Sequence, residues 1–319
     1  MKSMLIGLLM MLTLSAVAQE TKEELLATLF NATQQLYKEK RYDEALFVVN
    51  RIIKSDAKNA DYYDMRARIY YYKNLNDSAL INHNMAILLE PDQPTYYANR
   101  GLFFYNMQMP DESIDDLTLA LKYEKTDSLR HLIICNRGAA RNMKRDFQGA
   151  YKDFKSVYDE DSTNIQALSN LGMVLDDLGR INDAIMYLEK ALHIDPNETA
   201  VLCNLGYRYM DLGDYKMAIR QFKRMLEVAP DDPLGYNNMG YAKYKMNDLK
   251  GALKDIEHSI QLLPENSYAY RNRALVYLAM KETDKACENL HKAVDLGYTP
   301  MYGDDVQQLL EKHCLFKNL

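Results

Sequence analysis

The sequence predicts an all-α chain of stacked helical hairpins, and three observations predict it. Asn170-Leu171-Gly172, Asn204-Leu205-Gly206 and Asn238-Met239-Gly240 recur thirty-four residues apart. Twelve residues after each glycine stands an alanine: Ala184, Ala218 and Ala252. Each unit then closes on a proline, at Pro196, Pro230 or Pro264. A fixed period in this range marks a stacked repeat array.

Within the unit from Ile165 to Glu198, Leu168, Leu171 and Leu175, with Gly172 among them, fall at the i, i+3, i+4, i+7 spacing of a helix that buries one face. Ala184, Tyr187, Leu188, Ala191 and Leu192 form a second such run. Gly179 lies between the two, where a helix ends in a left-handed residue, and Gly213, Asn247 and Asn74 hold the matching position in other units. Each unit is therefore two short antiparallel helices. The glycine and the alanine are small because the paired helices approach closely at that level. Neither helix covers its apolar face alone, so the units must stack.

Leu-Gly in the first helix, Ala with an aromatic or Leu in the second, and the closing Pro together resemble the tetratricopeptide repeat, whose period is the same. The resemblance implies a right-handed superhelical solenoid whose first helices line a concave side. It reaches well beyond the central three units. The small position of the first helix reads Thr33, Ala67, Gly101, Gly138, Gly172, Gly206, Gly240 and Ala274. In the second helix it reads Ala45, Ala79, Ser113, Ala150, Ala184, Ala218, Ala252 and Ala286. The array thus holds about eight repeats: 24–59, 60–93, 94–130, 131–164, 165–198, 199–232, 233–266 and 267–296.

In chain order, the first repeat lacks both the glycine and the proline, as suits a terminal unit facing solvent. The second closes at Pro91, and the third carries Asn99-Arg100-Gly101. The interval from Gly101 to Gly138 is three residues too long, which places a small insertion around Lys125 to Ser128. In the fourth repeat Arg141 takes a position held elsewhere by Tyr70, Phe104, Leu175, Tyr209 or Tyr277, with Lys243 as the other charged occupant. Repeats three and four are therefore where the stack is expected to be irregular. Repeats five to seven are the regular centre, and the eighth carries Asn272-Arg273-Ala274. Residues 297–319 form the tail: Gly297 and Pro300 break the chain, and Asp304 to Cys314 reads as an amphipathic capping helix through Val306, Leu309 and Leu310.

Residues 1–18 read as a secretory signal peptide. Lys2 supplies a basic start, Met4 to Leu14 an uncharged apolar run, and Ala16-Val17-Ala18 the small residues before Gln19. The run is too short to serve as a transmembrane anchor. The other reading is an N-terminal helix packed on the repeats. The expectation is an exported chain, periplasmic or secreted after cleavage near Ala18. A formal net charge of −6 argues against nucleic acid, which is held by clustered Lys and Arg.

Of four cysteines, Cys135 and Cys203 take the same first-helix position two repeats apart, too far for the ~5.5 Å between alpha carbons that a disulfide needs. Cys287 lies in the last second helix and Cys314 in the tail that packs on it. A bridge between them and two free buried thiols both fit the sequence.

On a wheel turning about 100° per residue, the position two before the small residue points away from the core. It holds Asn31, Met65, Asn99, Asn136, Asn170, Asn204, Asn238 and Asn272. Asparagine is a mediocre helix former, so its recurrence asks for another cause. Its amide donates and accepts at once, which suits a peptide backbone whatever the ligand's side chains. Neighbouring first helices lie ~8–10 Å apart and an extended peptide advances ~3.3 Å per residue, so one asparagine meets every third residue. The ladder is similar to that in the repeat domain of O-linked N-acetylglucosamine transferase, which implies a hold on extended polypeptide. The alternative is that these amides only join neighbouring helices.

Beside the ladder stand Tyr207 and Tyr241 with Tyr268, an acidic stretch of Asp176, Asp177 and Asp211, and a basic one of Lys245 and Arg271. Read as a site, the acids favour a ligand carrying basic residues; read blandly, they are a solvated face. The family's carboxylate-clamp subclass needs basic residues at groove positions where this chain has only Arg271, against Phe30, Asp64, Ala98, Cys135, Ser169, Cys203 and Asn237. The six histidines show no helical metal-binding pair, and no phosphate loop or nucleophile elbow is present. The sequence therefore predicts no enzyme, cofactor or metal. It predicts a scaffold that binds other proteins as extended peptides, with a glycan or small-molecule receptor at the tyrosine-lined end as the second reading.

Overall fold

The computed structural model describes residues 22–124, 126–298 and 303–314. The expected signal peptide lies outside them, as does Lys125 of the expected insertion. Seventeen α-helices and no strands occur among the described residues. The chain divides into two compact units between Ile133 and Ile134, within the fourth expected repeat.

The first unit holds α1 (Lys22–Lys38), α2 (Tyr42–Ser55), α3 (Ala60–Tyr72), α4 (Asn76–Leu89), α5 (Pro94–Asn106) and α6 (Pro110–Tyr123), with the start of α7 (Asp127–Met143). The second holds the rest of α7, then α8 (Phe147–Glu160), α9 (Ile165–Asp177), α10 (Ile181–Ile194), α11 (Thr199–Asp211) and α12 (Tyr215–Val228). It continues through α13 (Pro233–Lys245), α14 (Leu249–Leu262), α15 (Ser267–Ala279), α16 (Thr283–Asp295) and α17 (Asp305–His313). Each odd helix up to α15 pairs with the even helix after it. Within each unit, hairpins stack so that α1 touches α3, α3 touches α5, α9 touches α11, and α13 touches α15.

The close approach expected at the small residues has a specific partner, always sixteen residues on. A Cβ on Gly138 would sit 2.5 Å from the Phe154 ring, on Gly172 2.5 Å from Leu188, and on Gly206 2.4 Å from Phe222. These are distances no real Cβ keeps, so the large second-helix side chain rests directly on bare backbone. Leu188, Phe222 and Ile256 are fully buried there, each stabilising its hairpin by roughly 1.5–3 kcal/mol.

The turn between paired helices needs one residue with positive φ. Gly179 (φ 72°), Gly213 (φ 76°), Asn74 (φ 57°) and Asn247 (φ 64°) supply it as the sequence predicts. Lys40, Gln108, Arg145 and Lys281 adopt the same conformation without a suitable side chain.

Both charged exceptions at the normally apolar first-helix position find an acid twelve residues later. Arg141 Nη1 lies 2.8 Å from Asp153 Oδ2, and Lys243 Nζ lies 2.5 Å from Asp255 Oδ2. At the carboxyl end, α17 packs on α16 through Val306 and Leu310, and a disulfide joins Cys287 to Cys314 with alpha carbons 5.8 Å apart. Cys135 and Cys203 stay free. Burial pushes their thiols up to about 12 and about 11.

Candidate functional site

The ladder position does not point simply away from the core. A first helix in a stack is flanked by the hairpins before and after it, whereas a helical wheel counts one neighbour. At Asn99, Asn238 and Asn272 the ladder residue faces the seam toward the preceding first helix; Asn31 of α1 is exposed, and the other six asparagines fall into two sets.

In the first set the amide is already used. Asn99 donates to Asp64 Oδ2 at 2.8 Å in the first unit. Asn238, 2% exposed, accepts from the Tyr207 hydroxyl at 3.1 Å and contacts Cys203 Sγ at 3.8 Å. Asn272 is fully buried, donates to Asn237 Oδ1 at 3.0 Å and accepts from Arg271 at 3.0 Å. Asn238 and Asn272 are thus corrected from groove contacts to inter-repeat braces, and removing Asn272 would leave the buried Asn237 Oδ1 without its donor. Each brace reaches a residue thirty-five positions earlier.

The second set is Asn136, Asn170 and Asn204, in α7, α9 and α11 of the second unit. All three are partly exposed. None of their amides meets a hydrogen-bond partner among the described residues. Met173, 45% exposed, and Asp177, exposed, continue the same face of α9 one and two turns past Asn170.

The charges beside the ladder are less free than the sequence suggests. Arg208 pairs with Asp176 and lies 3.4 Å from Asp211, so the acidic stretch carries its own cation. Burial pushes the Asp211 carboxyl up and the Arg208 guanidinium down, with their mutual attraction opposing both. Arg271 is also corrected: its guanidinium holds Asp305 of α17 at 2.6 Å and serves the capping helix. Tyr241 and Tyr268 each lie 5.8 Å from that guanidinium, and Tyr268 stacks on Tyr298. The tyrosine-lined end is therefore packed by the molecule's own groups. No cluster of metal-ligating side chains occurs among the described residues.

Residues 165–198 match the family model described as the tetratricopeptide repeat, and residues 206–247 match a second described as a TPR repeat. The chain carries tetratricopeptide repeats. A tetratricopeptide-repeat protein from Parabacteroides merdae shares the fold at a TM-score of 0.65 and 19% identity, over 79% of this chain and 97% of that one. The Cut9–Hcn1 hetero-tetramer of the APC/C matches at 0.63 and 17%, over 90% of this chain, which spans 55% of the matched one. PilW, a type IV pilus biogenesis factor, matches at 0.59 and 21%, over 65% of this chain and 94% of that one. No curated protein matches the chain in sequence. The tetratricopeptide fold suggests a protein–protein interaction scaffold, and such repeats are generally non-catalytic.

Proposed function

We propose that this tetratricopeptide-repeat protein is a non-catalytic scaffold whose second unit holds an extended segment of another protein across α7, α9 and α11. The observation that carries this reading is the trio Asn136, Asn170 and Asn204, whose amides alone in the second unit's ladder have no intramolecular partner. Such an amide donates to a ligand carbonyl and accepts from a ligand N–H, contributing about 0.5–1.5 kcal/mol per bond. Asp177 and Met173 lend the face one exposed acid and one adaptable apolar contact. The packed tyrosine end favours this reading over a glycan receptor.

The test is selection of displayed peptides on the full mature chain, followed by affinity measurement on Asn136→Ala/Asn170→Ala/Asn204→Ala. We expect a loss of about 10- to 100-fold, from two or three bonds of that size. Unchanged affinity would remove the ladder from the account.

We also propose that the chain is exported, in keeping with its leader-like first eighteen residues and the Cys287–Cys314 disulfide, which persists in oxidising compartments. Intact mass from fractionated cells should give a chain beginning at Gln19 outside the cytoplasm. A cytoplasmic chain retaining Met1 would contradict export.

A further inference from the structure

The second repeat departs from the chain's own pattern at adjoining positions, and the departures meet in one cleft of the first unit. Where the other repeats carry a ladder asparagine, it has Met65, buried in the core. Three residues on, where the other seven have neutral side chains, it has Arg68. On its second helix, at the position resting on the small residue and apolar in the other seven, it has His83.

Arg68 extends into a cleft of about 80 Å³ walled by Tyr37, Tyr71, Tyr72 and Phe103 and closed below by His83. Its guanidinium carbon lies 4.7 Å from the centre of the Tyr37 ring. No carboxylate pairs with it among the described residues. Two other half-buried arginines do have one, Arg100 holding Asp116 at 2.7 Å and Arg137 holding Asp153 at 2.8 Å, while Arg66 and Arg273 are met by asparagine amides instead. Asp64, one turn earlier on α3, forms no ion pair with Arg68 among the described residues, and its Oδ1 has no hydrogen-bond partner. One of its oxygens lies 3.3 Å from His83 Nδ1 and the other accepts from Asn99. The Tyr37 hydroxyl is hydrogen-bonded to the guanidinium, but burial pushes its pKa up, so it stays neutral and supplies no counter-charge. A half-buried guanidinium laid against aromatic walls, with no carboxylate paired to it, is placed to accept one from outside.

We propose that this cleft binds the carboxylate side chain of an aspartate or glutamate in a partner polypeptide, its two oxygens paired with the Arg68 guanidinium. The fork of an arginine fits a carboxylate in this way, and the ring beneath holds the fork in place. The volume suits a carboxylate with a methylene or two, at roughly 30 Å³ for each water-sized group. Arg68 is the sole Lys or Arg lining the cleft, which suits a monoanion better than phosphate. Asn106 at the rim adds a neutral amide with no partner among the described residues. The site lies in the first unit and does not rest on the asparagine reading of the second.

The experiment is an NMR titration of the full mature chain, following the Arg68 Nε–H resonance, assigned from its absence in Arg68→Gln. The probes are N-acetyl-glutamate N′-methylamide, its glutamine counterpart and inorganic phosphate. Capped glutamate should give a saturable shift, capped glutamine none, and phosphate a weaker one. Signals of Tyr71 and Phe103 should report binding at least about tenfold weaker in Arg68→Gln, as for one lost charge-assisted pair. Arg68→Lys, which keeps the charge but not the fork, should fall between. No saturable shift with capped glutamate in the wild-type chain would overturn the proposal. So would equal shifts from the glutamine counterpart, which would mean a neutral subsite, or tighter binding of phosphate, which would mean a general anion site.

Discussion

At the scale of single residues, one backbone requirement repeats at every hairpin, and the side chains that meet it differ in fitness. Lys281 (φ 63°) and Gln108 (φ 59°) occupy a conformation that glycine adopts freely. Replacing either by glycine should raise stability by roughly 0.5–1 kcal/mol, the relieved strain exceeding glycine's entropic cost. Urea denaturation would check it, and a loss would contradict it. The opposite holds where space rather than φ is limiting. Gly206→Ala drives a methyl into the Phe222 ring and should destabilise by about 1–3 kcal/mol. The free cysteines give a chemical reading of the same packing. With its thiol pushed up to about 12 by burial, Cys135 should react with iodoacetamide at neutral pH on the order of 10³ times more slowly than an exposed thiol. Fast native-state labelling would show that α7 opens.

At the scale of elements, pairs of helices are locked by polar contacts as well as by apolar ones. The α13–α14 hairpin carries Asp255 against Lys243, and burial pushes the Asp255 carboxyl up despite that lysine. The folded state therefore binds this proton more tightly than the unfolded chain. Its contribution is largest below the ordinary value of 3.8 and is lost as pH rises through the raised folded value. Asp255→Asn should remove that slope, so wild-type stability relative to the variant should fall as pH rises above 3.8. Parallel profiles from urea denaturation would contradict the assignment. The α17 cap has two fastenings, the disulfide and Arg271–Asp305. Cys314→Ser should destabilise by about 2–4 kcal/mol, with the first loss of amide protection in α17.

At the scale of the whole molecule, much was legible because a repeat supplies its own comparison. Gly172, Gly206 and Gly240 announced close helix packing, Gly179 and Asn247 announced the turns, and the tail pattern announced a cap. The structure adds the partner of each: the large residue sixteen positions on and the disulfide to Cys287. The ladder was legible as a pattern and only partly as a surface. Asn238 and Asn272 look identical to Asn170 along the chain, yet the seam buries them against Tyr207 and Asn237. Which asparagine is consumed depends on the residue thirty-five positions earlier and on that seam, which no single-helix wheel contains. Arg208 and Asp305 escaped for the same reason, since each answers a charge on another helix. Arg68 and His83 left a different signal, a departure from the chain's own repeat, visible once the eight units are set side by side.

The central claim, that the second unit grips backbone rather than side chains, is tested most directly by a backbone-methylation scan. Each amide nitrogen of a selected peptide is methylated in turn and the affinity for the full chain measured. Because first helices lie ~8–10 Å apart and an extended strand advances ~3.3 Å per residue, the losses should recur at every third residue. They should vanish in the Asn136→Ala/Asn170→Ala/Asn204→Ala variant. Losses without that period, or the same period in the variant, would contradict the account.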